Sequence, residues 1–379
     1  MSALEQDAQP FAKAPARSEQ RGAHWLKPEL VAEVAFTGWT RDGRLRHPAF
    51  QGLREDKVAG EIVREEPTPI RAVTVGRSPA KEEQQNVIAG IRISHPDRVL
   101  YGEQGISKRD LALYYQEVAD WILPHLKDRP LTLVRCPEGY NKECFYQRHA
   151  NDTLDQAVAR VAVREGGKQR DYVAIDSVTG LIALVQAGVL EFHTWGSRRD
   201  RLHRPDRITF DLDPDPQLAW SRVAQAAHAL RTRLTDLGLA AFVKTTGGKG
   251  LHVVVPIARN LGWDEIKAFA KAVAQAMAAD EPAKYTAVMS KAKRHGKIFI
   301  DYLRNGWAAT AVAAFSTRAL SGAPVSAPLF WQELDSCRAD TFTIANIRTR
   351  LGQLKSDPWA DYEAARCALT LTIRKKIAA

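Results

Sequence analysis

Residues 208–213 read ITFDLD, residues 245–256 read TTGGKGLHVVVP, and residues 297–303 read KIFIDYL. Apolar and polar residues alternate in the first segment, which is typical of a β-strand with one buried face, and the apolar run of the third segment predicts a further strand. In the first strand this period of two places Asp211 and Asp213 on one face, and Phe210 and Leu212 on the opposite, buried face. The middle segment predicts a strand at 251–256 after a glycine-rich turn. We therefore expect a sheet that presents acidic side chains on one side.

The acidic residues of these strands suggest a metal site. Asp211 and Asp213 would stand about 7 Å apart along one strand, and such a pair repels unless a cation lies between its members. A third carboxylate, Asp301, ends the apolar run IFID. Three carboxylates from two strands can hold two divalent ions for in-line phosphoryl transfer. An EF-hand is excluded because Pro216 stands where that loop requires glycine. A turn or capping role for the acidic pair, just before Pro214, is the alternative.

The turn at 246–252, TGGKGLH, is a candidate anion site. Its three glycines allow backbone N–H groups to approach an anion closely, and Thr246 and Lys249 add further donors. The turn is not a Walker loop, because Lys249 is followed by Gly250 and no helix follows. His252 begins the next strand and could donate to a phosphate oxygen. An ordinary hairpin, with His252 as a core histidine, is the alternative interpretation.

Helices and strands alternate along the chain from residue 91 onward. The apolar periodicity predicts helices at 107–126, 181–190, 217–238 and 263–280, and a further strand at 241–244. Ser107 and Asp110 form an N-terminal capping pair for the first helix. We expect an α+β fold, with a mixed β-sheet flanked by helices as the catalytic core.

The formal net charge of the 379-residue chain is +10. Residues 1–90 hold 13 basic and 13 acidic side chains, so the whole excess lies in residues 91–379. This indicates a polyanionic partner for the larger segment, such as a nucleic acid, a nucleotide or a membrane surface. Five arginines cluster within ten residues, where they suggest salt-sensitive DNA affinity, although a solvated loop is the alternative: Arg198, Arg199, Arg201, Arg204 and Arg207.

The cysteine pattern and the hydropathy argue against a zinc-binding, a disulfide-rich, a membrane-spanning or a secreted protein. The four cysteines (Cys136, Cys144, Cys337 and Cys367) contain no CxxC pair, so neither a zinc site nor a disulfide framework is expected, and a reducing cytosol is the default. No run approaches the roughly 18–20 apolar residues of a membrane span. The first 22 residues lack the apolar core of a secretory signal.

The N-terminal quarter differs from the rest. Residues 1–23 are expected to be a disordered lead. Residues 24–57 contain the alternating run VAEVAF and the turn TRDGR, which predict a small element of two or three strands. Residues 58–90 lose periodicity and are expected to be a linker. The principal domain is then 91–379.

The chain resembles the polymerase module of bacterial ligase D in its motifs and their order. These motifs are the opening HPDRVLY…ISK, followed by DLD, TGGKGLH and IDYLRN. This module is an archaeo-eukaryotic primase-type polymerase of non-homologous end joining, and the resemblance covers about residues 91–358. Residues 24–57 resemble the C-terminal end of the oligonucleotide-binding fold of an ATP-dependent ligase. The Lys-x-Asp-Gly adenylation motif does not occur in the sequence. The N-terminal segment is therefore expected to be a remnant without the ligase catalytic domain.

The resemblance implies a role for each matching residue. The metal carboxylates would be Asp211, Asp213 and Asp301, with two divalent ions and Mn²⁺ favoured over Mg²⁺. The nucleotide would be bound by Thr246, Gly247, Gly248, Lys249, His252, His193, Arg304 and Arg318, with His193 near the sugar and ribonucleotides preferred. The 5′-phosphate and template base of a broken end would be held by Arg98, Lys108 and Phe145. The chain departs from the family at Thr246, where serine is common, and at Trp307, where arginine is usual.

The function implied is a DNA-repair nucleotidyltransferase that extends 3′ ends at breaks or gaps with a 5′-phosphate. Its expected partners are DNA with broken or gapped ends, NTP or dNTP, a Ku-type end-binding protein and a ligase, but no membrane. Its expected location is the cytoplasm, at the bacterial nucleoid. One alternative is a non-catalytic DNA-end-binding module that recruits repair partners. Another is a two-metal nuclease, which would use the same carboxylates but would not need the TGGKG turn.

Overall fold

The computed structural model of the protein describes residues 5–6, 10, 24–29, 31–35, 38–39, 45–46, 49–54 and 86–377. The chain divides into two compact units, Met1–Arg77 and Ser78–Ala379. Each unit is described by itself.

Among the described residues of the smaller unit are three pairs of antiparallel strands. They are β1 (Glu5–Gln6), β2 (Trp25–Leu26), β3 (Val31–Ala35), β4 (Gly38–Trp39), β5 (Leu45–Arg46) and β6 (Ala49–Arg54). The pairs are β1 with β2, β3 with β6 and β4 with β5. The predicted strand in VAEVAF corresponds to β3, whereas the predicted turn TRDGR lies outside the described residues. Glu5–Gln6 fall within the predicted disordered lead, yet they pair with Trp25–Leu26.

The larger unit contains the remaining strands and the helices. Its strands are β7 (Val87–Ile88), β8 (Ile91–Arg92), β9 (Val99–Tyr101), β10 (Ile106–Ser107), β11 (Leu131–Arg135), β12 (Phe145–Gln147), β13 (Ala159–Glu165), β14 (Lys168–Ala174), β15 (Val189–Trp195), β16 (Arg207–Pro214), β17 (Phe242–Thr245), β18 (Leu251–Pro256), β19 (Tyr285–Thr286), β20 (Ile298–Asp301), β21 (Thr310–Val312) and β22 (Pro328–Leu329). Its helices are α1 (Lys108–Glu117), α2 (Ala119–Leu126), α3 (Val178–Gln186), α4 (Trp220–Asp236), α5 (Trp263–Asp280), α6 (Ile347–Gln353) and α7 (Leu371–Lys376).

A six-stranded sheet carries the acidic strand β16, in the order β19-β20-β16-β18-β17-β22. β19 is parallel to β20, and the other neighbours are antiparallel. Phe210 and Leu212 are fully buried in one core cluster with apolar residues of α4 and α5. The alternation of β16 places Asp211 and Asp213 on the opposite face. The predicted division of this strand into a buried and an acidic face is confirmed.

A second sheet has four antiparallel strands in the order β12-β11-β15-β21. Its core contains apolar side chains of α1, α2 and α3, including Leu111, Ile122 and Leu184. β13 and β14 form a separate antiparallel hairpin. The two sheets with their helices confirm the predicted α+β class with a mixed sheet.

Two predicted helices differ from the observed ones. The helix predicted at 107–126 is divided into α1 and α2 at Val118, while the capping box of Ser107 and Asp110 is present. The helix predicted at 181–190 is buried as expected but ends at Gln186. Gly188 adopts a φ of 86°, which a helix cannot continue through, and β15 begins at Val189.

The hairpin β7–β8 lies across the boundary predicted between the linker and the main domain. Val87–Ile88 pair with Ile91–Arg92, and Ile88 is buried in the core of the larger unit. Ordered structure of the larger unit therefore includes the last residues of the segment predicted to be a linker. The rest of that segment, 58–85, lies outside the described residues.

Cys136 and Cys144 form a disulfide, so the expectation of unpaired cysteines is wrong for these two residues. Arg135, the last residue of β11, is directly opposite Phe145, the first residue of β12. Cys136 follows Arg135 and Cys144 precedes Phe145, so the two cysteines lie side by side with a Cα–Cα distance of 4.4 Å. Cys337 and Cys367 are free thiols. In the described part of the chain, no helix is long and apolar enough to cross a bilayer.

Candidate active site

Four strands of the six-stranded sheet bring polar residues into one transverse row. Asp211 of β16 is directly opposite Asp301 of β20 on one side and directly opposite His252 of β18 on the other. Lys244 of β17 is in turn opposite His252. Because directly opposite residues in a sheet share a face, all four side chains lie on the face that carries Asp213.

Two arginines contact the three aspartates. Arg304 Nη2 lies 3.0 Å from Asp211 Oδ2, and its Nε lies 3.5 Å from Asp301 Oδ2. Arg294 Nη1 lies 2.7 Å from Asp213 Oδ2. Within the described residues, no group of three or more His, Cys, Asp or Glu side chains is arranged as a metal site. The aspartates thus share one face, but their carboxylates are directed at guanidinium groups.

The three aspartates have different electrostatic environments. Burial opposes ionisation of Asp211, but His252 and Arg304 outweigh it and hold the pKa of Asp211 well below its usual value. Burial and the neighbouring charge of Asp211 raise the pKa of Asp213. Burial also raises the pKa of Asp301. Asp213 and Asp301 therefore ionise less readily than a solvent-exposed aspartate, whereas Asp211 ionises more readily.

The glycine turn lies at the edge of the same face. Gly247 has a φ of 68°, and a Cβ on Gly250 would stand 2.2 Å from the carbonyl oxygen of Leu212, so both positions require glycine. The Thr246 hydroxyl donates to the Gly250 carbonyl at 3.0 Å and accepts from the Gly248 N–H at 3.3 Å. Thr246 therefore shapes the turn, while Lys249 extends from it as an exposed side chain.

His252 lies beside the aspartates and under the glycine turn. It is buried, and its Nε2 lies 3.6 Å from Asp211 Oδ2, while its Nδ1 has no hydrogen-bond partner among the described residues. Burial and the charge of Lys244 lower the pKa of His252 to about 4, so the imidazole is neutral at pH 7. Lys244 is itself buried, and its ammonium donates to Ser326 Oγ at 2.6 Å.

The opposite wall of the cleft comes from the four-stranded sheet. His193 of β15 contacts Glu191 on the same strand, with Nε2 and Oε2 at 2.7 Å. Arg318 Nε donates to the same Glu191 oxygen at 2.9 Å, and Arg318 Nη1 donates to the Thr246 carbonyl at 2.7 Å. Glu191 thereby connects His193 to the glycine turn.

These elements surround one cleft of about 330 Å³. Its lining includes nine of the predicted metal- and nucleotide-binding residues: His193, Asp211, Asp213, Thr246, Gly248, Lys249, His252, Arg304 and Arg318. Asp301 borders it through its contact with Arg304. Residues predicted from separate motifs are thus brought together at one place.

The residues predicted to hold a DNA end lie elsewhere in the larger unit. Lys108 begins α1, and its backbone N–H donates to the Arg98 carbonyl at 2.8 Å. Arg98 Nη1 contacts Glu138 at 2.6 Å and the Pro137 carbonyl at 3.1 Å. Phe145 is 42% exposed. The loop that Arg98 contacts, at Pro137 and Glu138, precedes β12, which begins at Phe145.

The arginine cluster is less available to DNA than the sequence suggests. Arg198 and Arg207 both pair with Asp206, and Arg199 pairs with Asp128. Asp206 is fully buried, so Arg198 and Arg207 compensate a carboxylate in the interior. Arg199, Arg201 and Arg204 remain exposed, so the predicted DNA contact stays a prediction for these three residues.

Trp307 belongs to an aromatic cluster. Its ring stacks on His203 with a centroid distance of 4.6 Å and contacts Trp195 edge-on at 4.9 Å. Trp263 lies 6.4 Å away in a further edge contact. The residue that departs from the family pattern is therefore held by packing, while 37% of it remains exposed.

Two models of known families match the chain. Residues 107–359 match the model of the LigD primase-polymerase domain. The chain belongs to this family. Residues 1–57 match the ATP dependent DNA ligase C terminal region, which agrees with the ligase resemblance of the N-terminal strands. Both resemblances inferred from the sequence are confirmed.

Individual relatives extend beyond this chain. The multifunctional non-homologous end joining protein LigD of Pseudomonas aeruginosa is 40% identical over 370 residues, which are 97% of this chain and 44% of that protein. The LigD DNA repair protein of Mycobacterium tuberculosis is 32% identical over 271 residues, 69% of this chain and 36% of that protein. The chain thus spans less than half the length of these relatives.

A solved structure shares the fold of the larger unit. The polymerase domain from Mycobacterium tuberculosis ligase D, in complex with DNA, matches with a TM-score of 0.68 and 30% identity. The match covers 73% of this chain and 99% of that chain.

Two residues that contact side chains of the cleft, Glu191 and Arg294, were not predicted from the sequence. Glu191 is two residues before His193 on one strand, so the period of two could have placed both on the same face. Arg294 lies in the run KAKRHGK, where nothing distinguishes it from its basic neighbours. Its contact with Asp213 depends on how the loop before β20 folds back.

Proposed function

We propose that this chain is a DNA-repair nucleotidyltransferase that adds nucleotides to a 3′ end at a break or gap carrying a 5′-phosphate. The observation that supports this most is the transverse row of Asp301, Asp211 and His252 beside the glycine turn, in one cleft. A two-metal nuclease would not need the turn. Family membership adds support, since the matched family is a primase-polymerase domain.

The residues suit divalent cations. Asp211, Asp213 and Asp301 offer only carboxylate oxygens, the donors that Mg²⁺ and Mn²⁺ prefer. The guanidinium groups of Arg304 and Arg294 now balance their charge and would have to withdraw for two ions to bind. When bound, such ions lower the pKa of an attacking hydroxyl and neutralise charge on the transferring phosphate. We propose Mn²⁺ as the favoured ion.

The remaining cleft residues can orient the nucleotide. Lys249 and Arg304 offer charged donors for phosphate oxygens, and Arg318 is fixed against the turn at Thr246. His193 lies on the wall opposite the turn, where a sugar can approach it. Positioning and charge stabilisation account for most of the rate in such transfers. The acceptor 3′-hydroxyl and the triphosphate would meet between these two walls.

We assign the DNA end to the region of Arg98, Lys108 and Phe145. Lys108 and Arg98 are adjacent cations for a terminal phosphate, and Phe145 offers an exposed ring on which a base can stack. The structural neighbour from Mycobacterium tuberculosis is a complex with DNA, which supports this partner. A Ku-type end-binding protein, a ligase and action at the cytoplasmic nucleoid are further proposals, testable by co-purification from the native cell.

The test is primer extension on gapped DNA with a 5′-phosphate, Mn²⁺ and either NTPs or dNTPs. Wild type should lengthen the primer, and Asp211→Ala should reduce the rate by at least a hundredfold. Asp200→Ala is the matched control, because Asp200 also pairs with an arginine but lies at an exposed site. Shortening of a labelled primer would indicate a nuclease instead. Undiminished extension by Asp211→Ala would reject the proposed site.

A non-catalytic end-binding module is the second candidate. The contacts of Arg304 and Arg294 with the aspartates favour it, because they satisfy the carboxylates without a metal. It predicts tight binding of 5′-phosphorylated ends with no nucleotide turnover. Extension by wild type would exclude it, and unchanged end binding by Lys108→Met would remove its proposed anchor.

A further inference from the structure

Glu191 is a buried carboxylate between the two walls of the cleft. It is 5% exposed. Its Oε2 accepts from His193 Nε2 at 2.7 Å and from Arg318 Nε at 2.9 Å, and its Oε1 accepts from the Ala319 N–H at 2.8 Å. Burial opposes ionisation, but the contacts with His193 and Arg318 outweigh it and lower the pKa of Glu191 to about 2. The side chain is therefore an anion that only accepts hydrogen bonds.

This anion determines the tautomer of His193. Because a carboxylate cannot donate, the short contact requires a hydrogen on His193 Nε2. Burial lowers the pKa of His193, so the ring is neutral at pH 7 and its Nδ1 carries a lone pair. Nδ1 has no hydrogen-bond partner among the described residues. It is also absent from the inaccessible polar atoms that lack a partner, so it is accessible to a ligand. His193 lines the cleft in which we propose that the nucleotide binds, so Nδ1 is an accessible acceptor on a residue of that cleft.

The same carboxylate fixes the other wall. Arg318 uses its Nε for Glu191 and its Nη1 for the Thr246 carbonyl at 2.7 Å. A Cβ on Gly247 would stand 2.8 Å from Arg318 Cγ, so the arginine packs directly on the turn. The Glu191 carboxylate therefore orients both His193, on the proposed sugar side, and Arg318, on the proposed phosphate side.

We propose that Glu191 is a positioning residue that holds His193 in its Nε2–H tautomer, so that Nδ1 accepts a hydrogen bond from the 2′-hydroxyl of an incoming ribonucleotide. This inference rests on the proposed nucleotide-binding function and deepens it. A 2′-deoxynucleotide lacks that donor and leaves Nδ1 unpaired. Selection of ribonucleotides would then depend on a residue that does not touch the substrate.

Glu191→Gln separates this role from simple packing. The glutamine has nearly the same shape, but it has one oxygen and one NH₂ group in place of two acceptor oxygens. If the NH₂ group replaces Oε1, it faces the Ala319 N–H, which is also a donor. If it replaces Oε2, it faces the donors of His193 and Arg318. The carboxylate that enforces the tautomer is thus lost with little change in volume.

Glu333→Gln is the matched control. Glu333 also accepts a backbone N–H, from Phe330 at 2.7 Å, and also holds an arginine, Arg350 at 2.9 Å. Neither Glu333 nor Arg350 lines the cleft. A general effect of removing one such carboxylate would appear in both variants.

The first measurement is the histidine tautomer, from nitrogen-15 NMR of histidine-labelled protein without nucleotide or metal. Wild type should show His193 as the neutral Nε2–H form, assigned by loss of its signals in His193→Phe. Glu191→Gln should shift it toward the Nδ1–H form, and Glu333→Gln should not. A wild-type ring that is protonated, or that carries its hydrogen on Nδ1, would overturn the proposal.

The second measurement is discrimination between ATP and 2′-dATP, as the ratio of kcat/KM in primer extension. Glu191→Gln and His193→Phe should each lower the ratio about tenfold, mainly through the KM for ATP. An unchanged ratio in either variant would refute the role. If wild type extends no primer, the proposed polymerase fails, and the calorimetric affinities for ATP and 2′-dATP with Mn²⁺ then decide the inference. Equal wild-type affinities would reject it.

Discussion

Asp211 and Asp301 face each other directly across the antiparallel pair β16–β20, and both contact the guanidinium of Arg304. Two carboxylates held side by side in a sheet repel each other, and the arginine relieves this repulsion. The same carboxylates are the proposed metal ligands. Arg304 and a divalent ion would therefore compete for Asp211.

The first prediction concerns this competition. Arg304→Met should tighten Mn²⁺ binding in the absence of nucleotide by about tenfold, because the resident cation is removed from Asp211. Isothermal titration with MnCl₂ measures it. The same variant should raise the KM for NTP, since a phosphate donor is lost. Arg259→Met, which breaks the exposed pair with Asp200, should leave both quantities unchanged. Weaker Mn²⁺ binding by Arg304→Met would contradict the competition.

The second prediction concerns the buried ion pair of Arg129 and Asp206. The two form bidentate hydrogen bonds of 2.8 Å and 2.7 Å and are fully buried. Asp206→Asn leaves the arginine without its counter-charge and should lower the free energy of unfolding by about 3–5 kcal/mol. Urea denaturation monitored by circular dichroism measures this. Asp200→Asn breaks an equally bidentate but exposed pair with Arg259 and should cost about 1 kcal/mol or less.

The pH dependence of stability provides a second check on Asp206. Burial would raise its pKa, but Arg129, Arg207 and Arg366 outweigh burial and hold the pKa far below its usual value. A carboxyl whose pKa is depressed by folding stabilises the protein above its unfolded pKa of about 3.9, and this contribution is lost as the pH falls further. Wild type should therefore lose stability more steeply below pH 4 than Asp206→Asn. Parallel curves would show that Asp206 is not the group responsible.

Local periodicity explains why much of the site was predictable. Alternation in ITFDLD is sufficient to place Asp211 and Asp213 opposite the buried Phe210 and Leu212. The transverse alignment of Asp211 with Asp301 depends on strand register across 90 residues of sequence, which no local pattern specifies. The family resemblance predicted that Asp211 and Asp301 lie close together, and the register of β16 with β20 explains why they do.

Contacts that depend on the fold explain where the structure departs from the expectations. Arg198 and Arg207 look like a cationic surface in the sequence, but the fold places Asp206 among them and buries it. Cys136 and Cys144 are eight residues apart, and only the pairing of β11 with β12 sets them side by side. Asp206 lies close in sequence to Arg198 and Arg207, and Cys144 lies close to Cys136, but the contacts form only when the chain folds.

The third prediction concerns the disulfide. A crosslink that closes a loop of this size restricts the unfolded chain and is worth about 2–3 kcal/mol. Treatment of wild type with a reductant should lower the free energy of unfolding by that amount. Cys144→Ser should begin at the lower value and be insensitive to reductant. If wild type and Cys144→Ser have equal stability under oxidising conditions, the bond does not stabilise the fold.

The fourth prediction concerns the proposed 5′-phosphate contact. Lys108 is 8% exposed, and burial together with the charge of Arg98 lowers the pKa of its ammonium to about 8. A bound phosphate favours the charged ammonium and raises this pKa. The complex then holds more protons than the free protein in the window above pH 8, so affinity must fall as the pH rises through that window.

Affinity for a 5′-phosphorylated DNA end should accordingly be constant from pH 6.5 to about pH 7.5 and then fall by up to tenfold per pH unit above pH 8. Fluorescence anisotropy with a labelled duplex end measures it. Lys108→Arg is the control, because a guanidinium stays charged throughout and should give binding that is nearly independent of pH. An end without the phosphate should bind more weakly and show no such slope with either protein. The same slope in wild type and Lys108→Arg would mean that another group titrates, and Lys108 would then not be the residue that holds the phosphate.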